Sequence, residues 1–202
     1  MRLGWAFVLR WTLATAAALV LAQLALDVLW YVVLGWFLVP LFPLLGGVFG
    51  VAVGTLQWLV LRRHLPGSGA WVLATTAGFI VGGVLALVAM YAGADPRRPA
   101  GFAIFASVTP IIGLTQWAVV RRWTPRGIVW VLASAVGWTA FLAVGAFGPD
   151  ALGVVGEFTR PMLDRIAGYA TSGSAIGPTL VGGIAAGAIT GGSLVWLLRA
   201  AR

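Results

Sequence analysis

One acidic residue, Asp27, lies inside an apolar run, and the amide residue Gln23 lies four residues before it. Residues four apart share a face of a helix, so this pair could bind a proton or a cation. Asp27 is sixteen residues past Trp11, which places it about 24 Å along a helix and near one edge of a membrane core about 30 Å thick. At that depth, hydration at the interface or an ion pair with Arg97 or Arg98 is the simpler interpretation of an acidic residue.

Two further amides, Gln57 and Gln116, occur in a repeated segment. The first copy, residues 54–63, reads Gly-Thr-Leu-Gln-Trp-Leu-Val-Leu-Arg-Arg, and the second, residues 113–122, reads Gly-Leu-Thr-Gln-Trp-Ala-Val-Val-Arg-Arg. A turn containing Pro follows each copy, and then Trp-Val-Leu-Ala. The amides could line a cytoplasmic vestibule, but a Gln in an apolar helix more often ties that helix to a neighbour. The sequence therefore predicts two interhelical ties.

Residues for catalysis are scarce. The chain has no Cys, which excludes thiolate metal sites and Cys nucleophiles. Its single His, His64, follows one apolar run, whereas Ser172 and Ser174 lie beyond a later one, on the other side of the predicted membrane. A Ser–His pair would need both side chains within hydrogen-bond reach. We therefore predict no catalytic residues, no metal site, no cofactor and no enzymatic activity.

The composition is that of a membrane protein. Of the 202 residues, 61% are hydrophobic and only 9% are charged, whereas a soluble domain carries about 25% charged residues. The net charge of +8 comes from thirteen basic residues, all of them Arg, which cluster at the ends of apolar runs. This distribution is typical of topology signals and lipid-headgroup contacts rather than of nucleic-acid binding. The expected partners are the bilayer with its anionic headgroups, and a membrane protein or a second copy of the chain.

The apolar runs predict an all-α integral membrane protein whose six transmembrane helices form one domain over residues 1–202. The expected helices are 11–36, 43–62, 70–91, 102–122, 128–147 and 178–199. Pro40 and Pro43 mark the first break, and Pro110 should kink the fourth helix.

The six helices are predicted to form three two-helix repeats, each of which starts with Trp-x-Leu-Ala followed by Thr or Ser. The repeats cover about 11–63, 71–122 and 130–199. Because each contains an even number of helices, all three insert in the same direction, around a pseudo-threefold axis along the membrane normal. When Gly191 is aligned with Gly54 and Gly113, Leu194 takes the place where Gln is expected in the third repeat.

Small residues recur at intervals of four and are expected to let helix backbones pack closely. The stripes lie in the second helix and the sixth: Gly46, Gly50 and Gly54, and Gly183, Gly187 and Gly191.

The third repeat also contains an insertion, at about 148–177. Its apolar residues recur every three or four positions opposite charged ones, which predicts an amphipathic segment on the outer interface, against lipid or against a partner protein. The apolar residues are Val155, Phe158, Met162, Ile166 and Tyr169, and the charged ones are Glu157, Arg160 and Asp164.

The Arg distribution predicts the orientation. Nine Arg and no acid fall on the side that holds both termini, and four Arg and all five acids fall on the other. By the positive-inside rule both termini are cytoplasmic. Four of the nine, Arg62, Arg63, Arg121 and Arg122, are expected to anchor the two repeated segments at the cytoplasmic surface.

The repeated Gly-x-x-Gln-Trp-(x)3-Arg-Arg segment, with its Pro turn and Trp-Val-Leu-Ala, resembles uncharacterised multi-pass membrane proteins of bacteria. The resemblance extends over all six helices, is most specific at 54–75 and 113–134, and implies a location in the bacterial cell (inner) membrane. It implies no activity. We therefore expect a non-catalytic accessory or scaffold subunit. The alternative is a protein that conducts or transports a small solute, a proton or an ion along the axis, using Asp27 and the Gln residues.

Overall fold

The computed structural model describes residues 4–33, 42–151 and 173–200, and all the regular secondary structure in these ranges is helical. The helices are α1 (Trp5–Val33), α2 (Phe42–Leu61), α3 (Ala70–Tyr91), α4 (Pro99–Val108), α5 (Pro110–Val120), α6 (Ile128–Ala151) and α7 (Gly173–Ala200).

Five helical segments in the described ranges are long and apolar enough to cross a membrane. They are Trp5–Leu26, Ala70–Tyr91, Pro99–Val120, Ile128–Phe147 and Ile176–Ala200, and Gly46–Leu61 is a shorter sixth apolar helix. This architecture is that of an all-α, multi-pass membrane protein.

The helix positions follow the predictions closely, although α4 begins at Pro99 rather than at residue 102 and α6 extends to Ala151 rather than to residue 147. The largest differences are at the starts of α1 and α7. α1 begins at Trp5 rather than at residue 11, because Phe7 is buried and stacks on Trp11 with ring centroids 5.8 Å apart. The Phe7 and His64 rings also meet edge to face, with their centroids 5.3 Å apart. α7 begins at Gly173, so Pro178 lies inside its second turn instead of at its start. A Pro inside a membrane helix frees one carbonyl and is tolerated where neighbouring groups satisfy that carbonyl.

Pro110 breaks the fourth membrane segment as predicted, and the structure shows how the break is stabilised. α4 ends at Val108 and α5 begins at Pro110, with Thr109 between them. Because Pro110 has no N–H, the carbonyl of Ala106 loses its usual partner. Thr109 supplies two donors instead, its N–H at 3.2 Å and its hydroxyl at 2.8 Å from that carbonyl oxygen. The same hydroxyl lies 3.0 Å from Thr139 Oγ1 of α6.

The helices form a closed ring in chain order, since α2 packs on α1 and α3, α5 on α3 and α6, and α7 on both α6 and α1. Glycines bring α2 close to α3. A Cβ built on Gly46 would lie 2.5 Å from Phe79 O, and a Cβ built on Gly50 would lie 2.5 Å from Thr76 Cα. A Cβ on Gly183 would likewise lie 2.9 Å from Ala16 Cα of α1. These residues therefore bring backbones together at the α2–α3 and α7–α1 contacts.

Neighbouring helices run in opposite directions, so the starts of α1, α3 and α6 meet the ends of α2, α5 and α7 at one end of the bundle. We call this the arginine end, because it carries Arg10, Arg62, Arg63, Arg121, Arg122, Arg126 and Arg199. At the opposite end the α3–α4 loop pairs Arg98 Nε with Asp95 Oδ2 at 3.5 Å. The amphipathic pattern predicted for the insertion lies outside the described residues.

Candidate functional site

Three indole rings, from Trp11 in α1, Trp71 in α3 and Trp130 in α6, meet just inside the arginine end. Their side chains are 0%, 0% and 1% exposed. The ring centroids are 5.6, 6.3 and 5.5 Å apart, and each pair meets edge to face, a favourable geometry for aromatic quadrupoles. We call these residues the tryptophan triad. Because they come from alternate helices of a closed ring and touch one another, they fill its centre.

Each indole N–H of the triad donates a hydrogen bond to a polar side chain on a different helix. Trp71 Nε1 lies 3.0 Å from Gln57 Oε1 of α2, and Trp130 Nε1 lies 3.1 Å from Gln116 Oε1 of α5. The third indole uses a hydroxyl instead, with Trp11 Nε1 3.0 Å from Thr190 Oγ1 of α7. All three indole donors are thus satisfied inside the bundle.

The two glutamines each connect three helices. The amide nitrogen of Gln57 donates to Thr15 Oγ1 of α1 at 2.9 Å, and that of Gln116 donates to Thr75 Oγ1 of α3 at 3.0 Å. Both Gln side chains are buried. One amide can therefore hold the helix before it through N–H and the helix after it through C=O. Such interhelical bonds contribute about 0.6 kcal/mol each on average.

The pair of hydrogen bonds made by Gln57 and by Gln116 is incomplete at the corresponding place in α7. Thr190 Oγ1 accepts from Trp11 and lies 2.7 Å from Ala186 O of its own helix. Ser134 follows Trp130 by four residues, as Thr15 follows Trp11 and Thr75 follows Trp71. The Thr190 side chain is shorter than Gln and extends no amide to Ser134, whose buried Oγ has no hydrogen-bond partner among the described residues. A buried polar atom left this way costs about 1–3 kcal/mol.

The contacts of the glycines change the predicted alignment of the third helix pair. A Cβ on Gly54 or Gly113 would meet the Cα of the residue after a triad Trp, Val72 at 3.0 Å or Val131 at 2.9 Å. Gly187, and not Gly191, makes the matching contact, 2.8 Å from Thr12 Cα. Thr190 therefore occupies the place of Gln57 and Gln116, and the alignment that put Leu194 there is wrong by one helical turn. With Gly at 183, 187 and 191, the sequence offers three registers and no means of choosing among them.

The predicted polar site divides into two parts. Gln57 and Gln116 belong to the network around the triad, whereas Gln23 and Asp27 lie farther along α1. Gln23 is half-buried and follows Thr15 by eight residues of α1, a distance of about 12 Å along the helix. Asp27 lies one turn farther from the network, and the structure does not describe its side chain.

The basic anchors stack on aromatic side chains. Arg62 Cζ lies 5.0 Å from the centre of the Trp58 ring, and Arg121 Cζ lies 5.4 Å from that of Trp117. Each pair is spaced four residues apart at the end of its helix, which brings the guanidinium over the indole. Gly127 is required beside the second pair, because a Cβ there would lie 2.9 Å from Trp117 Cδ1.

The network is suited to holding helices rather than to chemistry. Its members are indoles, amides and hydroxyls, none of which titrates near neutral pH. Within the described ranges no three His, Cys, Asp or Glu side chains are grouped to hold a metal ion. Sequence reasoning identified the amides but missed their partners. The signal for those partners is the Trp-x-x-x-Thr or Trp-x-x-x-Ser spacing at the start of each predicted repeat, which marks the repeats and also places an indole and a hydroxyl on one helix face.

Comparison with known proteins assigns the chain to no family. No protein-family model, no curated protein and no solved structure matches the chain.

Proposed function

We propose that the protein is a non-catalytic accessory or scaffold subunit in a membrane, with a closed bundle that conducts nothing. The tryptophan triad is the observation that carries this proposal. Three buried indoles in mutual contact occupy the centre of the helix ring. A path for water or ions along the axis would have to displace them and break their hydrogen bonds.

The polar network supports the same function. Proton and ion pathways use ionisable side chains that face a wet interior, whereas the amides here are held by a donor on one side and an acceptor on the other. Fixed side chains of this kind make a bundle rigid, which is what a scaffold needs. The resemblance to bacterial multi-pass proteins supports placing this scaffold in the cell inner membrane.

We further propose that the chain consists of three repeats around a pseudo-threefold axis. Three features of the described helices recur at corresponding places and support it. Each triad Trp touches the other two, each indole donates to the helix before it in the ring, and Gly54, Gly113 and Gly187 contact the residue after a triad Trp.

Purification from native membranes, combined with flux assays, tests the proposed function. In a mild detergent we expect a membrane-protein partner to co-purify in a fixed ratio. In liposomes loaded with a pH-sensitive or K⁺-sensitive dye, we expect leakage no faster than in empty liposomes. Proton or ion flux through the wild type that Gln57→Leu abolishes and Trp196→Ala preserves would instead establish the permeation function.

The orientation with both termini cytoplasmic is also a proposal, supported by the seven Arg at the arginine end. Single introduced thiols test it, because the chain has no Cys. Gly69 and Ala100 are both exposed and lie at opposite ends of the bundle. The neighbouring Ser68 is unsuitable, because it is buried and a thiol there would be shielded in either orientation. With a membrane-impermeant reagent on intact cells, Ala100→Cys should be labelled and Gly69→Cys should not. The reverse pattern would invert the topology.

A further inference from the structure

At the arginine end, α2 and α5 carry the same arrangement of one Trp and two Arg. In α2 and in α5 an Arg stacks on a Trp four residues before it, and a second exposed Arg follows directly. The residues are Arg62 and Arg63 with Trp58, and Arg121 and Arg122 with Trp117. We propose that each of these clusters binds the phosphate of an anionic phospholipid, so that the protein carries two headgroup sites on one side of the membrane. The proposal does not depend on the scaffold function.

The stacking prepares the guanidinium group for a phosphate. The guanidinium carbon lies over the indole face, 5.0 Å from the ring centre for Arg62 and 5.4 Å for Arg121. Arg62 and Arg121 are both exposed, so their N–H donors can reach a phosphate and make two parallel hydrogen bonds to its oxygens. A guanidinium that is already oriented loses less conformational freedom on binding.

The local charge favours an anion at both clusters. Of the acidic residues in the described ranges, Asp95 lies in the loop at the opposite end, and Asp27 and Asp150 lie in the later parts of α1 and α6, which run away from the arginine end. No carboxylate of a described side chain therefore competes for these Arg. Arg63 and Arg122 add a second positive charge next to each stacked Arg.

The order of side chains along the helix favours a lipid over a soluble phosphate. On one face of α5, Leu114, which is 47% exposed, precedes Trp117 by three residues and Arg121 by seven. On one face of α2, Val51, which is 51% exposed, precedes Trp58 by seven and Arg62 by eleven. Both faces thus present an apolar side chain, then an indole, then a guanidinium. An acyl chain, a glycerol backbone and a phosphate follow in the same order from the membrane core to its surface.

Native mass spectrometry of the purified protein, titrated with phosphatidylglycerol or with zwitterionic phosphatidylcholine, tests the proposal. We expect two phosphatidylglycerol molecules to bind in preference to phosphatidylcholine. Each Arg near an anionic surface contributes about fivefold in affinity, so the double variant Arg62→Gln/Arg121→Gln, which removes one Arg from each cluster, should raise the Kd of each site about fivefold. The matched control Arg97→Gln/Arg98→Gln removes the same charge from the opposite end and should change the Kd less than about twofold.

Two further measurements separate a lipid site from general attraction and from a soluble ligand. Trp58→Leu/Trp117→Leu leaves the net charge unchanged but removes the stacking surface, and it too should weaken phosphatidylglycerol binding severalfold while the melting temperature confirms folding. Glycerol phosphate in large excess should not displace the lipid. Equal losses of lipid binding in the two Arg double variants, or full binding by the Trp double variant, would show that the clusters attract lipid only through nonspecific charge. Displacement by glycerol phosphate would assign them to a soluble phosphate compound.

Discussion

Replacement of Trp71 by alanine is expected to lower the free energy of unfolding in detergent by about 3–5 kcal/mol, the range measured for large-to-small changes at buried aromatic residues. Trp71 is fully buried and makes edge-to-face contacts with both other members of the triad, at 5.6 and 5.5 Å. Alanine would leave a cavity at the centre of the ring. It would also leave Gln57 Oε1 without the indole N–H that it accepts, so packing and hydrogen bonding are lost together.

Trp196→Ala is the matched control for Trp71→Ala. The chemical change is the same, but Trp196 is 52% exposed on α7, and surface substitutions away from special features usually change stability by less than about 0.5 kcal/mol. Thermal melting of both purified variants, followed by tryptophan fluorescence and by circular dichroism, gives the comparison. Similar melting temperatures for the two would show that the triad does not hold the bundle.

Gly50→Leu is expected to destabilise the bundle by about 3 kcal/mol, at the upper end of the range for overpacked interiors. A Cβ at Gly50 would lie 2.5 Å from Thr76 Cα and 3.1 Å from Phe79 Cβ. The nearest atom belongs to the backbone of α3, so no change of rotamer can relieve the clash. The two helices would have to move apart, which would also weaken the contact at Gly46.

The neighbouring substitution Val51→Leu adds one methylene at a position that is 51% exposed. It should leave the melting temperature within about 2 °C of the wild type, because a change of a few tenths of a kcal/mol shifts the melting of a chain this size by that much or less. Size-exclusion chromatography in detergent, run beside the melts, should show Gly50→Leu expanded or aggregated. A Gly50→Leu variant that melts with the wild type would contradict the close α2–α3 contact.

Hydropathy predicted most of the fold because length and apolarity are local properties of the sequence. The limits of α3 at Ala70 and Tyr91, the start of α6 at Ile128 and the break at Pro110 are all where the sequence places them. The start of α1 could not be found this way, because Phe7 is helical on account of its contacts with Trp11 and His64. The contact with His64 joins residues that are distant in the sequence.

The site was predicted in part for the same reason. Polar residues inside apolar helices are visible in a sequence, so Gln57 and Gln116 could be selected as interhelical ties. Their partners Thr15, Thr75, Trp71 and Trp130 stand in the pattern that starts each predicted repeat, but the pattern does not show which neighbouring helix each side chain meets. Thr190 was hidden further by the evenly spaced glycines around it, which fit more than one register.

The hydrogen bond from Trp11 to Thr190 spans 179 positions of the chain, and this has a consequence for biosynthesis. A ribosome delivers α1 before α7, so the indole N–H of Trp11 stays without its acceptor through the insertion of every intervening helix. The ring also remains open between α6 and α1 for that whole period. A truncated chain that lacks α7 would therefore expose an unpaired donor and an unsealed groove to the lipid, which are the features by which membrane quality-control proteases could distinguish an unfinished copy from a complete one.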